Sequence, residues 1–263
     1  PRSGIPIARM RSVYRVDEVG RRLDKLPPKE HEGLRATYER KPFLLYVAPG
    51  ACHAPHQAPA SFIEPYRGRF DAGWDRWREQ VFARQISSGL LPKGTELSER
   101  PSWVPSWESL SSDERRLFAR MMEVYAGFMT HTDAQIGRLV DFIEKLGELD
   151  DTLLILMSDN GASAEGGLKG SFNEAFFFNM VPESLEENLR RIDDLGTPRA
   201  HNHYPWGWAW AGNTPLKRFK RLGYEHVALN GQKGYHGVAV LSRLPFEAFN
   251  IQSFCGKTDC RHI

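Results

Sequence analysis

The chain has 263 residues, of which 41% are hydrophobic and 26% charged, a composition typical of a soluble globular protein and unlike a disordered one. The formal net charge of +2 neither favours nor excludes a nucleic-acid partner, so only local charge clusters can indicate one. Three cysteines are too few, and odd in number, for a disulfide framework, and no apolar run approaches the roughly 18 residues of a membrane span. No signal peptide is visible, which favours a cytoplasmic location, although a chain that begins with Pro1 can have lost its start.

The first predicted strand lies behind a charged leader. Residues 1–40 are mostly helical in pattern, and we assign them no chemistry. The apolar run 42–48 predicts a buried strand. It continues into the loop 49–59, where prolines on both sides of His53 and His56 hold the backbone extended and stiff. A histidine in such a loop is often a hydrogen-bonded structural residue, and we interpret His56 in this way.

The longest predicted helix covers residues 113–146 and follows a segment, 60–112, of loops and short helices. Ser112 is the expected N-cap and Gly147 the expected terminator. Apolar residues recur at three- and four-residue spacing and predict one buried stripe: Met121, Val124, Tyr125, Phe128, Thr132, Ile136, Leu139, Phe142 and Leu146.

A second buried strand is predicted over residues 152–158, directly before Asp159 and Asn160. Together with 42–48 it predicts a largely parallel sheet. Ligands bind beyond the carboxyl ends of such strands, and carboxylate and amide oxygens suit Ca²⁺ or Mg²⁺. Asp159 and Asn160 are therefore candidate metal ligands, although Asp-Asn-Gly is also common in simple turns.

Two further clusters lie near the end of this region. Trp206, Trp208 and Trp210 line an aryl pocket or, as is commoner for large aromatics, pack in the core. Lys220 lies in the basic run 217–221, for which a solvated surface is the default interpretation.

Taken in order, these segments resemble the arylsulfatase family over about residues 41–221. The resemblance depends on Ala-Cys-His-Ala-Pro-His-Gln-Ala-Pro, the long helix, Ser-Asp-Asn-Gly-Ala, and Asn-Thr-Pro followed five residues later by lysine. It implies an α/β chain with a partial alkaline-phosphatase-like (sulfatase) fold, a mostly parallel sheet and flanking helices. It also implies a sulfate-ester substrate. A divalent cation and fixed hydrogen-bond donors stabilise the spread negative charge of the transition state of sulfate-ester hydrolysis.

The resemblance implies a role for four residues. Asp159 and Asn160 match ligands of Ca²⁺ (or Mg²⁺), and His53 matches the histidine that contacts sulfate oxygens near the leaving group. Lys220 matches the lysine that neutralises sulfate charge. An imidazole in that position can donate to an oxygen or assist proton transfer near neutral pH.

The family's nucleophile has no counterpart in these 263 residues. In the family, formylglycine is made from a Cys/Ser-x-Pro-Ser/Ala-Arg motif, whereas Cys52 here is followed by His53-Ala54-Pro55. The family's first Asp-Asp metal pair is also missing, and two ligands alone make a weak Ca²⁺ site. We therefore expect a sulfatase-family protein that by itself has little or no activity.

Residues 222–263 resemble a segment of the exonuclease III type of abasic-site endonuclease. The resemblance is carried by Gln-Lys-Gly-Tyr-His-Gly at 232–237 and a predicted strand at 238–242, with Lys233 able to contact a phosphate. An ordinary glycine-rich hairpin is the simpler interpretation. That family's metal and catalytic residues have no match here. Nucleic acid is an expected partner only through residues 217–263, which comprise the basic run 217–221 and this segment.

Three hypotheses follow for a chain divided into the leader 1–40, the sulfatase-like section 41–221 and the segment 222–263. The first is a sulfatase-family protein. The second is a fragment of a repair nuclease or a DNA-binding module. The third is a non-catalytic mosaic, in which the motifs serve packing only.

Under each hypothesis Cys255, Cys260 and His262 are interpreted as structural residues. They offer at most three ligands, whereas a structural zinc site normally has four.

Overall fold

The fold is described from a computed structural model, which covers residues 7–9, 44–158, 160–215, 226–231 and 237–242. The chain divides into two compact units, of which the first holds residues 1–78 and 100–212 and the second holds residues 79–99 and 213–263. The helices and strands are, in chain order, β1 (Ile7–Arg9), β2 (Leu44–Tyr46), α1 (Ala60–Ile63), α2 (Gly73–Ser87), α3 (Ser112–Lys145), α4 (Glu174–Phe178), α5 (Leu185–Arg190), α6 (Trp206–Gly212), β3 (His226–Gly231) and β4 (Gly237–Ser242).

The strand predicted at 42–48 is present as β2, in a shorter form. It pairs in parallel with β1, and Ile7 lies opposite Leu44 in the register. The leader 1–40 therefore contributes a strand, whereas its sequence pattern predicts mostly helix. The remainder of the leader lies outside the described residues.

The strand predicted at 152–158 is absent, which corrects the expected sheet. These residues have no regular secondary structure, and the side chains of Leu153 and Ile155 are 84% and 72% exposed. A strand satisfies its backbone groups only by pairing with a neighbour, and no strand in the described part of the chain pairs with this segment. The mostly parallel sheet is thus limited here to the pair β1–β2.

Helix α3 matches the predicted long helix to within one residue at each end, and its N-cap is Ser111 in place of the predicted Ser112. Ser111 caps the helix, because its Oγ accepts a bond from the Glu114 N–H at 3.2 Å while the Ser111 N–H donates to the Glu114 carboxylate at 3.1 Å. At the other end Gly147 adopts a φ of 68° and donates to the Glu144 carbonyl at 2.7 Å. Gly147 is the predicted terminator.

The buried face of α3 packs into an aromatic core that the sequence pattern of 60–112 does not reveal. That segment contains the 15-residue helix α2, and Trp74 from it meets Trp107 and Trp208 edge to face, at centroid distances of 4.8 and 5.8 Å. The three indole N–H groups donate to backbone carbonyls of Pro105, Asp71 and Phe118 respectively, at 2.9–3.1 Å. Large buried side chains with satisfied donors make this core the stable frame of the first unit.

In the second unit, β3 and β4 form an antiparallel pair with Gly231 opposite Gly237. The strand predicted at 238–242 is therefore present as β4. Residues 232–236, which carry the expected phosphate contact, lie outside the described residues, as do 243–263. None of the helices in the described ranges combines the length and the apolar character that a membrane crossing requires.

Candidate functional site

His53 lies in the loop after β2 and presents its ring at the surface, with 62% of the side chain exposed. Its backbone N–H donates to the Gly50 carbonyl at 3.0 Å and closes the turn. The ring Nδ1 lies 2.8 Å from the Ala54 carbonyl oxygen, and the Nε2 lies 3.2 Å from Oε2 of Glu165. Because a carbonyl oxygen only accepts, Nδ1 carries a proton, and Nε2 is the atom that faces the neighbouring carboxylate.

Two glutamates join His53 in one cluster. One ligand atom from each of His53, Glu165 and Glu174 lies within 4.8 Å of those of the other two. Glu165 lies in the chain after the bend at Asn160 and Gly161, and Glu174 begins α4. Burial raises the pKa of the Glu174 carboxyl, and its Oε1 has no hydrogen-bond partner among the described residues.

The loop that carries Glu174 is held in place by Glu183. The Glu183 carboxylate accepts bonds from the Ser171 hydroxyl at 2.9 Å and from the backbone N–H groups of Phe172 and Asn173 at 2.7 and 3.0 Å. The Asn188 amide donates a fourth bond at 2.9 Å. A carboxylate saturated in this way is a rigid support, so Glu174 starts its helix from a fixed position.

Two buried histidines lie near His53. His56 and His203 are each 1% exposed, and their rings are 4.9 Å apart. Burial lowers the pKa of His56 well below its usual range, and the nearby His203 and His53 lower it further. Burial also lowers the pKa of His203. Both rings are therefore neutral near pH 7, and His56 has the structural role that its sequence context suggests.

Two tyrosines and the half-buried Cys52 lie beside these histidines. The Tyr125 and Tyr204 rings meet edge to face at 4.7 Å. Burial raises the pKa of Tyr125 to about 12, raises that of Tyr204 further, and raises the pKa of the Cys52 thiol. Cys52 is accordingly a protonated thiol and an unsuitable nucleophile.

The structure locates two of the four residues that the sequence motifs single out. His53 lies in the cluster described above, and Asn160 lies in an exposed bend. The Asn160 amide donates to the Gly161 carbonyl at 2.8 Å, which leaves its Oδ1 as a donor atom for a cation. Asp159 and Lys220 lie outside the described residues, so their roles remain predictions.

The tryptophans Trp206, Trp208 and Trp210 differ in their burial and contacts. Trp208 is 1% exposed within the aromatic core, as the packing interpretation predicts. Trp206 is half-buried, and its indole N–H donates to the Ala164 carbonyl at 2.7 Å. Arg78 stacks over the Trp210 ring, with its guanidinium carbon 4.6 Å from the ring centroid. None of these three side chains is shown in contact with the glutamate cluster.

Sequence reasoning missed Glu165 and Glu174, because neither lies in a recognisable ligand spacing. The nearby glycines carry the available signal: a Cβ on Gly166 would lie 2.7 Å from Nδ1 of His203. A small residue is therefore required where this loop crosses the buried histidines. That requirement indicates a close-packed turn, but it does not identify the carboxylate beside it.

Comparison with known proteins places most of the chain in one family. Residues 24–214 match the model of the sulfatase family. An uncharacterized sulfatase of Schizosaccharomyces pombe is 33% identical over 179 residues, which cover 68% of this chain and 31% of that protein. An arylsulfatase of Klebsiella aerogenes is 28% identical over 188 residues, which cover 72% of this chain and 39% of that protein.

The extent of these matches bears on the two resemblances differently. The family match includes His53, Asp159 and Asn160 and ends before Lys220 and before the segment 222–263. The exonuclease III-type resemblance of that segment gains no support from the comparisons. The chain spans about a third of the length of the curated relatives that it matches.

Proposed function

This chain belongs to the sulfatase family, and on that premise we propose that it serves sulfate-ester hydrolysis, with an aryl sulfate-like substrate. The family implies an alkaline-phosphatase-like α/β fold and sulfate-ester chemistry, and it typically uses a divalent metal ion. The observation that carries the proposal is the position of His53, whose ring is exposed and oriented by the Ala54 carbonyl.

His53 is proposed to contact the sulfate group beside the leaving oxygen. A ring held through one nitrogen presents the other in a fixed direction, which favours donation to a defined oxygen. The neighbouring His56 and His203 rings are neutral, so neither adds a positive charge that would compete with His53 for the sulfate anion. His53 is therefore proposed to orient the substrate and, with both ring nitrogens protonated, to donate through Nε2 to the oxygen on which charge develops.

Asp159, Asn160 and Lys220 are proposed to complete the charge balance. Carboxylate and amide oxygens are hard ligands, and the Asn160 Oδ1 remains available for a cation. A cation held there would supply positive charge toward the sulfate oxygens. Lys220 would add a second, permanent positive charge.

The nucleophile is the part of the reaction that these 263 residues do not supply. They contain no Cys/Ser-x-Pro-Ser/Ala-Arg motif, and the burial of Cys52 keeps its thiol protonated. We therefore expect the isolated chain to recognise a sulfate ester without turning it over.

Release of a phenol from an aryl sulfate by the purified chain tests this proposal. The expected result is a rate equal to the uncatalysed reaction with the wild type and with Asp159→Ala alike. Robust turnover that Asp159→Ala abolishes would contradict the expected inactivity, because it would require a nucleophile within the chain.

A further inference from the structure

Trp103 and Trp206 form an aromatic pair on the surface of the first unit. Their rings meet edge to face, with the centroids 5.4 Å apart and the ring planes at 89°. In this arrangement the edge of one ring covers only one face of the other, and Trp103 is 57% exposed. A single exposed apolar residue is ordinary on a protein surface, whereas two adjacent indoles present an apolar surface that suits a ring of a ligand.

The turn that carries Trp103 is fixed from inside the unit. Val104 is 0% exposed, and its N–H donates to the Pro101 carbonyl at 3.0 Å. The Arg100 guanidinium donates to the Val104 carbonyl at 2.6 Å, and its Nε lies 3.0 Å from Oδ1 of Asp75. The backbone therefore holds Trp103 at the surface in a set position, so a ligand that stacks on this ring does not have to order the turn.

Trp206 connects the aromatic pair to the loop beside His53. Its indole N–H donates to the Ala164 carbonyl at 2.7 Å, and its backbone N–H donates to the Gly167 carbonyl at 2.9 Å. Glu165, between these two positions, brings its Oε2 to 3.2 Å from Nε2 of His53. Standard bond lengths along this path limit the distance between the Trp206 Nε1 and the His53 Nε2 to at most about 15 Å. A separation of this size suits a ligand that is longer than a single ring.

The chemistry of the pair favours an aromatic ligand over a sugar. The only polar atom of the Trp206 side chain is used by Ala164, so this ring offers a ligand apolar surface alone. Sugar hydroxyls need hydrogen-bond partners when they leave water, whereas an aromatic ring binds through its faces and edges.

We propose that Trp103 and Trp206 form the subsite for the aryl group of a sulfate ester that has more than one aromatic ring. The inference rests on the proposed function, in which His53 contacts the sulfate. With the sulfate at His53, the far ring of a naphthyl group lies against the two indoles. Trp103 and Trp206 thus determine which ester is bound, and they take no part in the transfer of the sulfuryl group.

Calorimetric titration of the full chain with 2-naphthyl sulfate, methyl sulfate and 2-naphthol tests the aromatic contact separately from the sulfate contact. Trp103→Ala should weaken the binding of both naphthyl ligands about three- to tenfold and leave that of methyl sulfate unchanged. The replaced side chain is largely exposed, so we expect the variant to fold, and thermal unfolding verifies this. Leu90→Ala removes an apolar side chain that is 72% exposed in the second unit, and this matched control should bind all three ligands as the wild type does.

The ligands also distinguish the failure of this inference from that of the proposed function. Absence of methyl sulfate binding by the wild type would contradict the sulfate contact, and 2-naphthol would still test the aromatic pair. Equal affinity of the wild type and Trp103→Ala for both naphthyl ligands, or absence of naphthyl binding by the folded wild type, would overturn the inference. Weaker binding of glucose 6-sulfate by Trp103→Ala, with unchanged naphthyl affinity, would assign the pair to a sugar and would overturn it too.

Discussion

The aromatic core and the exposed apolar segment, residues 153–157, are equally apolar in sequence and opposite in structure. Trp74 and Trp208 are 0% and 1% exposed, whereas Leu153 and Ile155 are 84% and 72% exposed. Both regions belong to the same compact unit. The difference shows that an apolar pattern predicts a preference for burial, while burial itself requires a partner surface.

Helices and strands meet that requirement in different ways. Helix α3 satisfies its backbone hydrogen bonds within its own 34 residues and needs only one face covered, which α1 and the aromatic core provide. A buried strand needs neighbours on both edges and layers on both faces. Residues 153–157 lack a paired strand among the described residues, so their side chains stay in water.

Replacement of a core tryptophan should give the largest effect. Trp208→Ala removes a fully buried ring and leaves the Phe118 carbonyl without its indole donor, so we expect a loss of about 3–5 kcal/mol in unfolding free energy. Ile155→Ala in the exposed apolar segment should change it by less than about 0.5 kcal/mol. Urea denaturation measures both, and a comparable loss in the two variants would remove the contrast between the regions.

A pair of glycine substitutions tests the packing more finely. A Cβ on Gly207 would collide with the Trp74 ring, so Gly207→Ala should destabilise the fold by about 1–3 kcal/mol. The matched variant Gly137→Ala adds the same methyl group to α3, where nothing lies within 4 Å of the new Cβ. It should stabilise the helix by up to about 1 kcal/mol. Equal responses in thermal unfolding would mean that the core around Trp74 is loose.

Acidification should lower the free energy of unfolding, because His56 and His203 are buried as neutral rings. The pKa values of His56 and His203 are lower in the folded state, so the unfolded chain binds more protons in acid. Stability is therefore complete above the unfolded value of about pH 6.5 and falls as the pH drops below it toward the folded values, by at most about 1.4 kcal/mol per pH unit for each histidine.

His56→Gln keeps a similar volume and removes one titrating group, so its stability should fall less steeply between pH 6.5 and 5. Denaturant unfolding at several pH values measures the slopes. Parallel slopes for wild type and variant would show that His56 does not titrate as its burial requires.

The smallest effect concerns the start of α3. Ser111→Ala removes the capping box and should cost about 1 kcal/mol, whereas Ser112→Ala should cost clearly less. Comparing their denaturation midpoints decides between the observed cap and the neighbour that sequence alone suggests. A larger loss for Ser112→Ala would move the helix start by one residue.

The sequence predicts those features of the fold that depend on local signals. The first part of the α3 stripe, its glycine terminator and the position of β2 follow from spacing and turn chemistry. Met121, Val124, Phe128 and Thr132 are buried as predicted, whereas Ile136, Leu139, Phe142 and Leu146 are only half-buried. The cap differs by one residue because Ser111 and Ser112 are both good caps. The strand at 152–158 is not formed, because pairing is non-local. The sequence also does not predict α2, because Trp74 and Trp107 meet across a stretch punctuated by prolines.

The site was predictable only where a family motif marks it. His53 and Asn160 are in positions that the motifs identify, whereas Glu165 and Glu174 converge on His53 through loop packing that no spacing encodes. The clamp formed by Glu183 depends in the same way on backbone N–H groups, which look alike in every sequence. Convergence of this kind is visible only in three dimensions.

Equilibrium binding of an aryl sulfate, measured by calorimetry, tests the central claim that this chain carries the sulfate-contacting part of a sulfatase site. Loss of a hydrogen bond to a charged group should weaken binding about tenfold or more in His53→Ala, while Glu79→Gln should bind as the wild type does. We expect this difference, and we expect that the parent phenol, which lacks sulfate, binds more weakly. Equal affinity of the wild type and His53→Ala for the sulfate ester would contradict it.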